Sequence, residues 1–385
     1  MQLLLVVSGD YGELGGAMYF LQGVDANISA HVLLPTALRH AVSSTATMRV
    51  DHYDTLSDIE ACVEQLAPDV VMLFSGYLLT IGKRFSFFNA VALLWRLKRR
   101  GVPVLTSDPF LGLLDSPNAL DFNAVLSQGR LSWRQRLLSQ RLAWRLYFLK
   151  VQLRWCWHVY PSPIQRLHAD RPGALSYAAL PAAKSMAVEL AADPPSWIFV
   201  LSQVDCRIQM RKGGEGFVST LVQRLLECVA LGRKAVLVAP SFLLSAVRDK
   251  LCLATEVELI GDEGYAAFMR RLMHAEYAFF WNYYSFSIIH RVRANRPVMF
   301  FDVGHMVHIM PKLHDAGVQL FYDAWRPPLL PLEQPFKDAD LAHRADESVA
   351  QFERINQGLQ LCASPTALLA QVRLANQGDV LNSQT

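Results

Sequence analysis

Hydrophobic positions along the chain gather in short runs, and the segments between the runs carry a helical period. Leu3 to Val7, His31 to Leu34, Met48 to His52, Val70 to Phe74 and Val102 to Thr106 read as strands. Helices are predicted between them over Ala17 to Gln22, from Thr36, from Ser57 with a Ser/Asp start that suits an N-cap, and over Phe87 to Arg99, closed by Gly101. This alternation is the signature of parallel βαβ units. An Ala- and Pro-rich stretch from Pro172 to Pro195 reads as a linker, after which the same grammar restarts. Strands are predicted at Trp197 to Leu201, Lys234 to Val238, Val257 to Ile260, Tyr277 to Trp281 and Val298 to Asp302. Helices fall at Phe217 to Leu231, Phe242 to Lys250, Tyr265 to His274 and Ser285 to Ala294, with terminal helices near Glu347 to Gly358 and Thr366 to Ala375.

The expected fold class is therefore α/β with two Rossmann-like domains. Residues 1–180 form the first, with a basic helical insertion at about 122–157. Residues 181–345 form the second, and 346–385 supply terminal helices and a tail.

Composition agrees with that division. The 385 residues are 52% hydrophobic and 18% charged, which excludes disorder and coiled coils, and the length exceeds the roughly 250–300 residues that one core sustains. A mean hydropathy of +0.18 raises the question of a membrane. No apolar run approaches the ~20 residues of a spanning helix, however, and buried parallel strands account for the hydropathy. No basic segment precedes Leu3, and Asp10 follows the run at once, so no signal peptide is read and a cytoplasmic location is expected. Six widely spaced cysteines without a CxxC pair read as small buried hydrophobes.

In open α/β sheets ligands bind beyond the carboxyl ends of the strands, which directs the search to the loops after each strand. Ser8-Gly9-Asp10-Tyr11-Gly12-Glu13-Leu14-Gly15-Gly16 follows the first strand and combines four glycines with two carboxylates. Gly12, Gly15 and Gly16 permit close backbone approach to a ligand, and a helix N-terminus beyond them suits an anion. Glu13 or Asp10 suits a general base; the same acids also suit a tight turn beside a helix dipole. The spacing departs from GxGxxG and no acid closes the second strand, which argues against NAD or FAD.

Asp10-Tyr11-Gly12-Glu13-Leu14-Gly15 is similar to the Asn-Tyr-Gly-Asp-Ile-Gly turn of protein-arginine rhamnosyltransferases. It resembles more loosely the turns of other GT-B glycosyltransferases and of polysaccharide pyruvyltransferases. The resemblance implies a GT-B arrangement, two Rossmann-like domains facing each other, with a catalytic acid at Glu13 that deprotonates an acceptor as it attacks a sugar's anomeric carbon. That family carries a second acid four residues earlier, where this chain has Gly9 and Asp10 is the nearest substitute.

Trp281-Asn282-Tyr283-Tyr284-Ser285-Phe286-Ser287 reads as the strand-to-helix junction at which GT-B enzymes hold the donor's diphosphate. Ser285 and Ser287 supply hydroxyl donors, and Tyr283 or Tyr284 can stack on a base or sugar. Ser285 equally suits a plain N-cap. The rhamnosyltransferases share Ser-Phe here but precede it with acids, so their nucleotide-sugar specificity is not implied. Arg211 and Lys212, before Gly213 and Gly214, are read in a loop from Ser202 to Gly216, either holding the diphosphate or solvated. Asp302 and His305 follow the last predicted strand and suit donor hydroxyls and phosphate. With His308 they offer a metal site as the alternative, but no HExxH is present and no metal or other cofactor is expected. Asp108 and Asp115 suit the acceptor side or a turn.

Between Asp121 and Asp170 there is no acid, but eight cations, Arg130, Arg134, Arg136, Arg141, Arg145, Lys150, Arg154 and Arg166. Trp133, Trp144, Trp155 and Trp157 are interleaved with them. This pattern suits a helix on an anionic membrane face, an acidic acceptor, or a packed insertion with a basic edge; no nucleic-acid motif accompanies it. The expected activity is transfer of a sugar from a nucleotide-activated donor to an unidentified acceptor, such as a lipid-linked or envelope polysaccharide. Pyruvyl transfer and a non-catalytic binding role are the alternatives.

Overall fold

The computed structural model describes residues 1–8, 11–79, 85–107, 151–161, 174–179, 195–251, 256–261, 263–283, 285–304 and 311–382, with the separate positions 133, 137, 140, 144 and 147–149. The chain divides into two units, Met1–Ala183 together with Gly358–Thr385, and Lys184–Gln357.

The first unit contains β1 (Gln2–Val7), α1 (Tyr11–Gln22), β2 (Ser29–Pro35), β3 (Met48–Tyr53), α2 (Leu56–Leu66), β4 (Val70–Phe74), α3 (Phe87–Arg99), β5 (Val104–Thr106), β6 (Trp157–Tyr160) and β7 (Ala174–Ser176). The strands form one sheet in the order β3-β2-β1-β4-β5-β6-β7, every pair parallel. Leu3 lies opposite both Ala30 of β2 and Val70 of β4. Helices cover both faces of such a sheet, so its central strands bury every side chain, as Leu3–Val7 and Val70–Phe74 do. Leu4, Val6, Val71 and Leu73 share a core with Leu93, Leu94 and Leu97 of α3 and with Ile59 and Val63 of α2. Thr55 caps α2 in a reciprocal box with Asp58, two residues before the expected Ser57 start. Ser86 caps α3, and Gly101 follows that helix at φ 68°, as the sequence suggests.

The second unit contains β8 (Ser196–Val200), α4 (Gln203–Ala230), β9 (Lys234–Val238), α5 (Ser241–Leu251), β10 (Val257–Ile260), α6 (Tyr265–His274), β11 (Tyr277–Phe280), α7 (Phe286–Arg293), β12 (Val298–Phe301), α8 (Pro311–Phe321), β13 (Leu329–Leu330) and α9 (Asp338–Leu359). Its parallel sheet runs β10-β9-β8-β11-β12-β13. Aromatic side chains build its core: Phe199 stacks on Phe279 at 4.6 Å, and Trp281 lies 4.4 Å from Phe301. Arg291 of α7 is fully buried and donates to the carbonyls of Leu272, Ala275, Glu276 and Pro297, which joins the end of α6 to the entry of β12.

The last helix, α10 (Pro365–Asn382), returns to the first unit. The Asp25 N–H donates to Thr366 Oγ1 at 2.9 Å, Asn376 Nδ2 donates to the Gly101 carbonyl at 3.0 Å, and Arg373 pairs with Asp69. Gly23 permits the approach, because a Cβ there would lie 2.5 Å from Pro365. Several sequence expectations change. The helix from Thr36 is a single 3₁₀ turn, Thr36–Leu38, and β7 lies inside the stretch read as a linker. Residues 346–385, read as terminal helices and a tail, divide between the units: α9 belongs almost wholly to the second, and everything from Gly358 joins the first. No helix among the described residues is long and apolar enough to cross a membrane.

Candidate functional site

Both sheets reverse strand order beside their first strand, so the switch points lie between β1 and β4 and between β8 and β11. Ligands of doubly wound sheets bind beyond the carboxyl ends of the strands at that place.

In the first unit β1 runs into Ser8, and Glu13 sits in the first turn of α1. Its side chain is buried, 6% exposed, and Ser8 Oγ donates to Glu13 Oε2. The glycine turn expected here is instead helix. Gly12, Gly15 and Gly16 all lie within Tyr11–Gln22, six residues ahead of the expected start at Ala17, with Gly15 and Gly16 buried. Each interior glycine costs a helix about 0.5–1 kcal/mol, and burial of Leu14, Ala17, Tyr19 and Phe20 outweighs that cost. Asp10 lies outside the described residues, as do Asp108 and Asp115.

Neighbouring strand ends add polar groups that the sequence reading passed over. Ser75, directly after β4, takes φ 60° and buries a hydroxyl that has no hydrogen-bond partner among the described residues. The Gly76 N–H donates to Thr106 Oγ1 at 2.8 Å, which links the ends of β4 and β5, and Ser107 is buried beside it. Ser75-Gly76 and Thr106-Ser107, small polar residues placed just beyond apolar runs, were the signal available for these positions.

In the second unit Ser285 is the N-cap of α7, its hydroxyl accepting from the Ser287 N–H, and Ser287 is largely buried. Tyr283 is not a stacking surface for a ligand. It is 1% exposed, stacks on Phe300 at 4.4 Å and meets His314 edge-on at 4.5 Å. Tyr284 and His305 lie outside the described residues. Asp302 uses Oδ1 to accept the Leu332 N–H at 3.2 Å, while its own N–H donates to Leu330, so its carboxylate fastens the end of β12 to the segment after β13. Gly304 is indispensable to the same turn, because a Cβ there would sit 2.3 Å from the Trp281 carbonyl oxygen. Gln209 Nε2 donates to the Val303 carbonyl, bringing α4 to that turn as well.

Arg211 and Lys212 do not sit in a loop. They are exposed residues of α4, which runs unbroken from Gln203 except for a kink at Gly214, at φ 49° and ψ −128°. The glycines therefore bend a helix and present no cradle of N–H groups. Ser202 caps α4, accepting from the Asp205 N–H and donating to Asp205 Oδ2.

Burial perturbs two neighbours on α7. The His290 imidazole is pushed down to about 4, with Tyr265 Oη 3.2 Å from its Nε2. The Arg291 guanidinium falls to about 9 through desolvation and the nearby Arg296. Among the described residues no three His, Cys, Asp or Glu side chains converge on a point where a metal ion would sit.

No known family model and no curated protein sequence matches this chain. Solved structures do. The UGT2 of Phytolacca americana, solved with UDP-2-fluoro-glucose and pterostilbene, superposes with a TM-score of 0.57 over 98% of this chain and 100% of its own, at 11% identity. The calicheamicin glycosyltransferase CalG4 gives 0.54 at 13% identity, over 98% of each chain. The glycosyltransferase VinC, in complex with dTDP, also gives 0.54 at 13% identity, over 98% of this chain and 100% of that one. The chain has the GT-B fold of these enzymes, two parallel α/β sheets with flanking helices.

Proposed function

We propose that this protein is a glycosyltransferase that moves a sugar from a nucleotide-activated donor to an acceptor hydroxyl or comparable nucleophile. The observation that carries the reading is Glu13, a buried carboxylate in the first turn of the helix after β1, at the switch point of a GT-B fold. As general base, Glu13 takes the acceptor's proton as the acceptor attacks the anomeric carbon. In a single displacement the new bond to that carbon forms while its bond to the phosphate oxygen breaks, and the electron pair leaves with the nucleoside diphosphate. Ser8, donating to Glu13 Oε2, orients the carboxylate.

The leaving diphosphate is assigned to the start of α7, where backbone N–H groups, the helix dipole and the hydroxyls of Ser285 and Ser287 complement its charge without a metal. Arg211 and Lys212 are left out of that role because they are exposed on a helix, and Asp302 is assigned to holding its turn. A lipid-linked or envelope polysaccharide acceptor suits the acid-free stretch between Asp121 and Asp170. Saturation-transfer NMR with a panel of nucleotides and nucleotide sugars tests the donor assignment. Signal from at least one nucleoside diphosphate is expected; silence across the panel would sink it. Product mass separates glycosyl from pyruvyl transfer.

A further inference from the structure

In the first unit, described helical positions between 133 and 153 turn large apolar side chains outward. Positions 133, 137, 140, 144, 147–149 and 151–153 are helical. Leu149 and Leu153 are fully buried in the core with α2 and α3. The exposed positions are Trp133, Leu137, Trp144, Tyr147, Phe148 and Val151, with Trp144 62% exposed. Trp133, Leu137, Trp144, Phe148 and Val151 are separated by four, seven, four and three residues, the spacing of a helical stripe, with Tyr147 beside it. A helix packed on a globular core ordinarily turns polar residues outward; here large apolar groups occupy that side.

The stripe continues onto α3. Phe148 meets Phe87 edge-on at 6.3 Å, and the adjacent Phe88 is 79% exposed. The last turn of α3 brings Lys98 and Arg99, while Arg96 and the following Arg100 pair with Glu60 and Glu64 of α2. Lys98 Nζ lies 5.9 Å from the Trp155 ring centre, and Arg99 lies 5.1 Å from that of Trp95. In the sequence, Trp133 and Trp144 are each followed by an arginine within a stretch that holds eight cations and no acid.

We propose that this face docks on the surface of an anionic lipid bilayer, its tryptophan and tyrosine rings at headgroup depth and its cations against lipid phosphates. Two arguments select the bilayer. Trp and Tyr are amphipathic rings suited to a membrane interface, and the acid-free stretch that carries them, together with Lys98 and Arg99, supplies charge complementary to anionic headgroups. A second copy of the chain would set one cationic face against another, which is unfavourable. The inference depends on this surface alone and stands whether or not sugar transfer is the reaction.

Flotation of the purified full chain with vesicles tests it. Vesicles of phosphatidylglycerol and phosphatidylcholine in equal parts should carry the protein upward, and phosphatidylcholine alone should not. Added salt should weaken the association. The double variant Trp144→Ser, Phe148→Ser changes only exposed positions and should lose at least about tenfold in binding with its melting curve unchanged. A separate variant, Lys98→Gln with Arg99→Gln, should weaken binding to anionic vesicles only. Equal binding to both vesicle types, no binding to either, undiminished binding by the serine variant, or a patch-dependent dimer or nucleic-acid complex in place of vesicle binding would each overturn the proposal.

Discussion

The helices that follow the first strand of each sheet make a natural pair. Each begins beside a serine bonded to a buried carboxylate, Ser8 with Glu13 in one unit and Ser202 with Asp205 in the other. Each also carries a cluster of glycines. The clusters do different work. In α1 the glycines are absorbed into an unkinked helix with Gly15 and Gly16 buried, whereas in α4 Gly214 breaks the helical path in a conformation suited to glycine. The acids differ as well: Ser202 both donates to Asp205 and accepts its N–H, a local capping arrangement, while Glu13 lies five residues from Ser8. The lesson is that a glycine cluster after a strand marks unusual backbone packing, and only tertiary burial decides whether that packing is a turn, a tight helix or a kink.

The largest test of the pairing is chemical. Glu13→Gln should lower the transfer rate by about 10²–10⁴-fold with little change in melting temperature, whereas Asp205→Asn should change stability more than rate. Equal rate losses in both variants would remove the distinction between the two acids. Acid should then separate the units. His290, buried in the second unit, has a folded pKa of about 4, below the ~6.5 of an unfolded chain. Between those values the unfolded state binds the extra proton, so the second unit should lose stability as pH falls from 6.5 towards 4, by on the order of 3 kcal/mol. Urea titrations across that range should show the loss, and His290→Phe should remove most of it, leaving a smaller part from His314, whose imidazole burial also pushes down.

Two smaller changes sharpen the reading of the kink. Gly214→Ala places a side chain at φ 49° and ψ −128° and should destabilise by about 1–3 kcal/mol in chemical denaturation. Gly216→Ala, two residues on and with open space around its Cβ, should stabilise by about 0.5–1 kcal/mol. A helix indifferent to both would show that Gly214 does not set the bend.

Much of the fold was legible because the central strands are continuously apolar: β1, β4, β8 and β11 fall close to where the hydrophobic runs place them. The outer strands were not. β6 and β7 include His158 and Ser176, and β13 has two residues, too few to leave a periodic trace. At the candidate site the positions of Glu13 and of the Ser285 cap could be read locally. The left-handed Ser75 could not, since its conformation is imposed by the strand ends around it. The bond that Asp302 accepts from Leu332 was hidden for a similar reason, since its partner lies thirty positions away, beyond any local pattern. Arg291 sits in a run of basic residues that looks solvated, yet carbonyls from two separate segments enclose it.

The return of α10 to the first unit also orders the protein's birth. Ribosomal synthesis completes β1 to β7 early, but the segment that rests on Gly23 and bonds to Asp25, Asp69 and Gly101 emerges only after the whole second unit has been made. Until then that face of the first unit stays uncovered, and a nascent chain halted before Pro365 would hold a nearly finished sheet with one flank open to water.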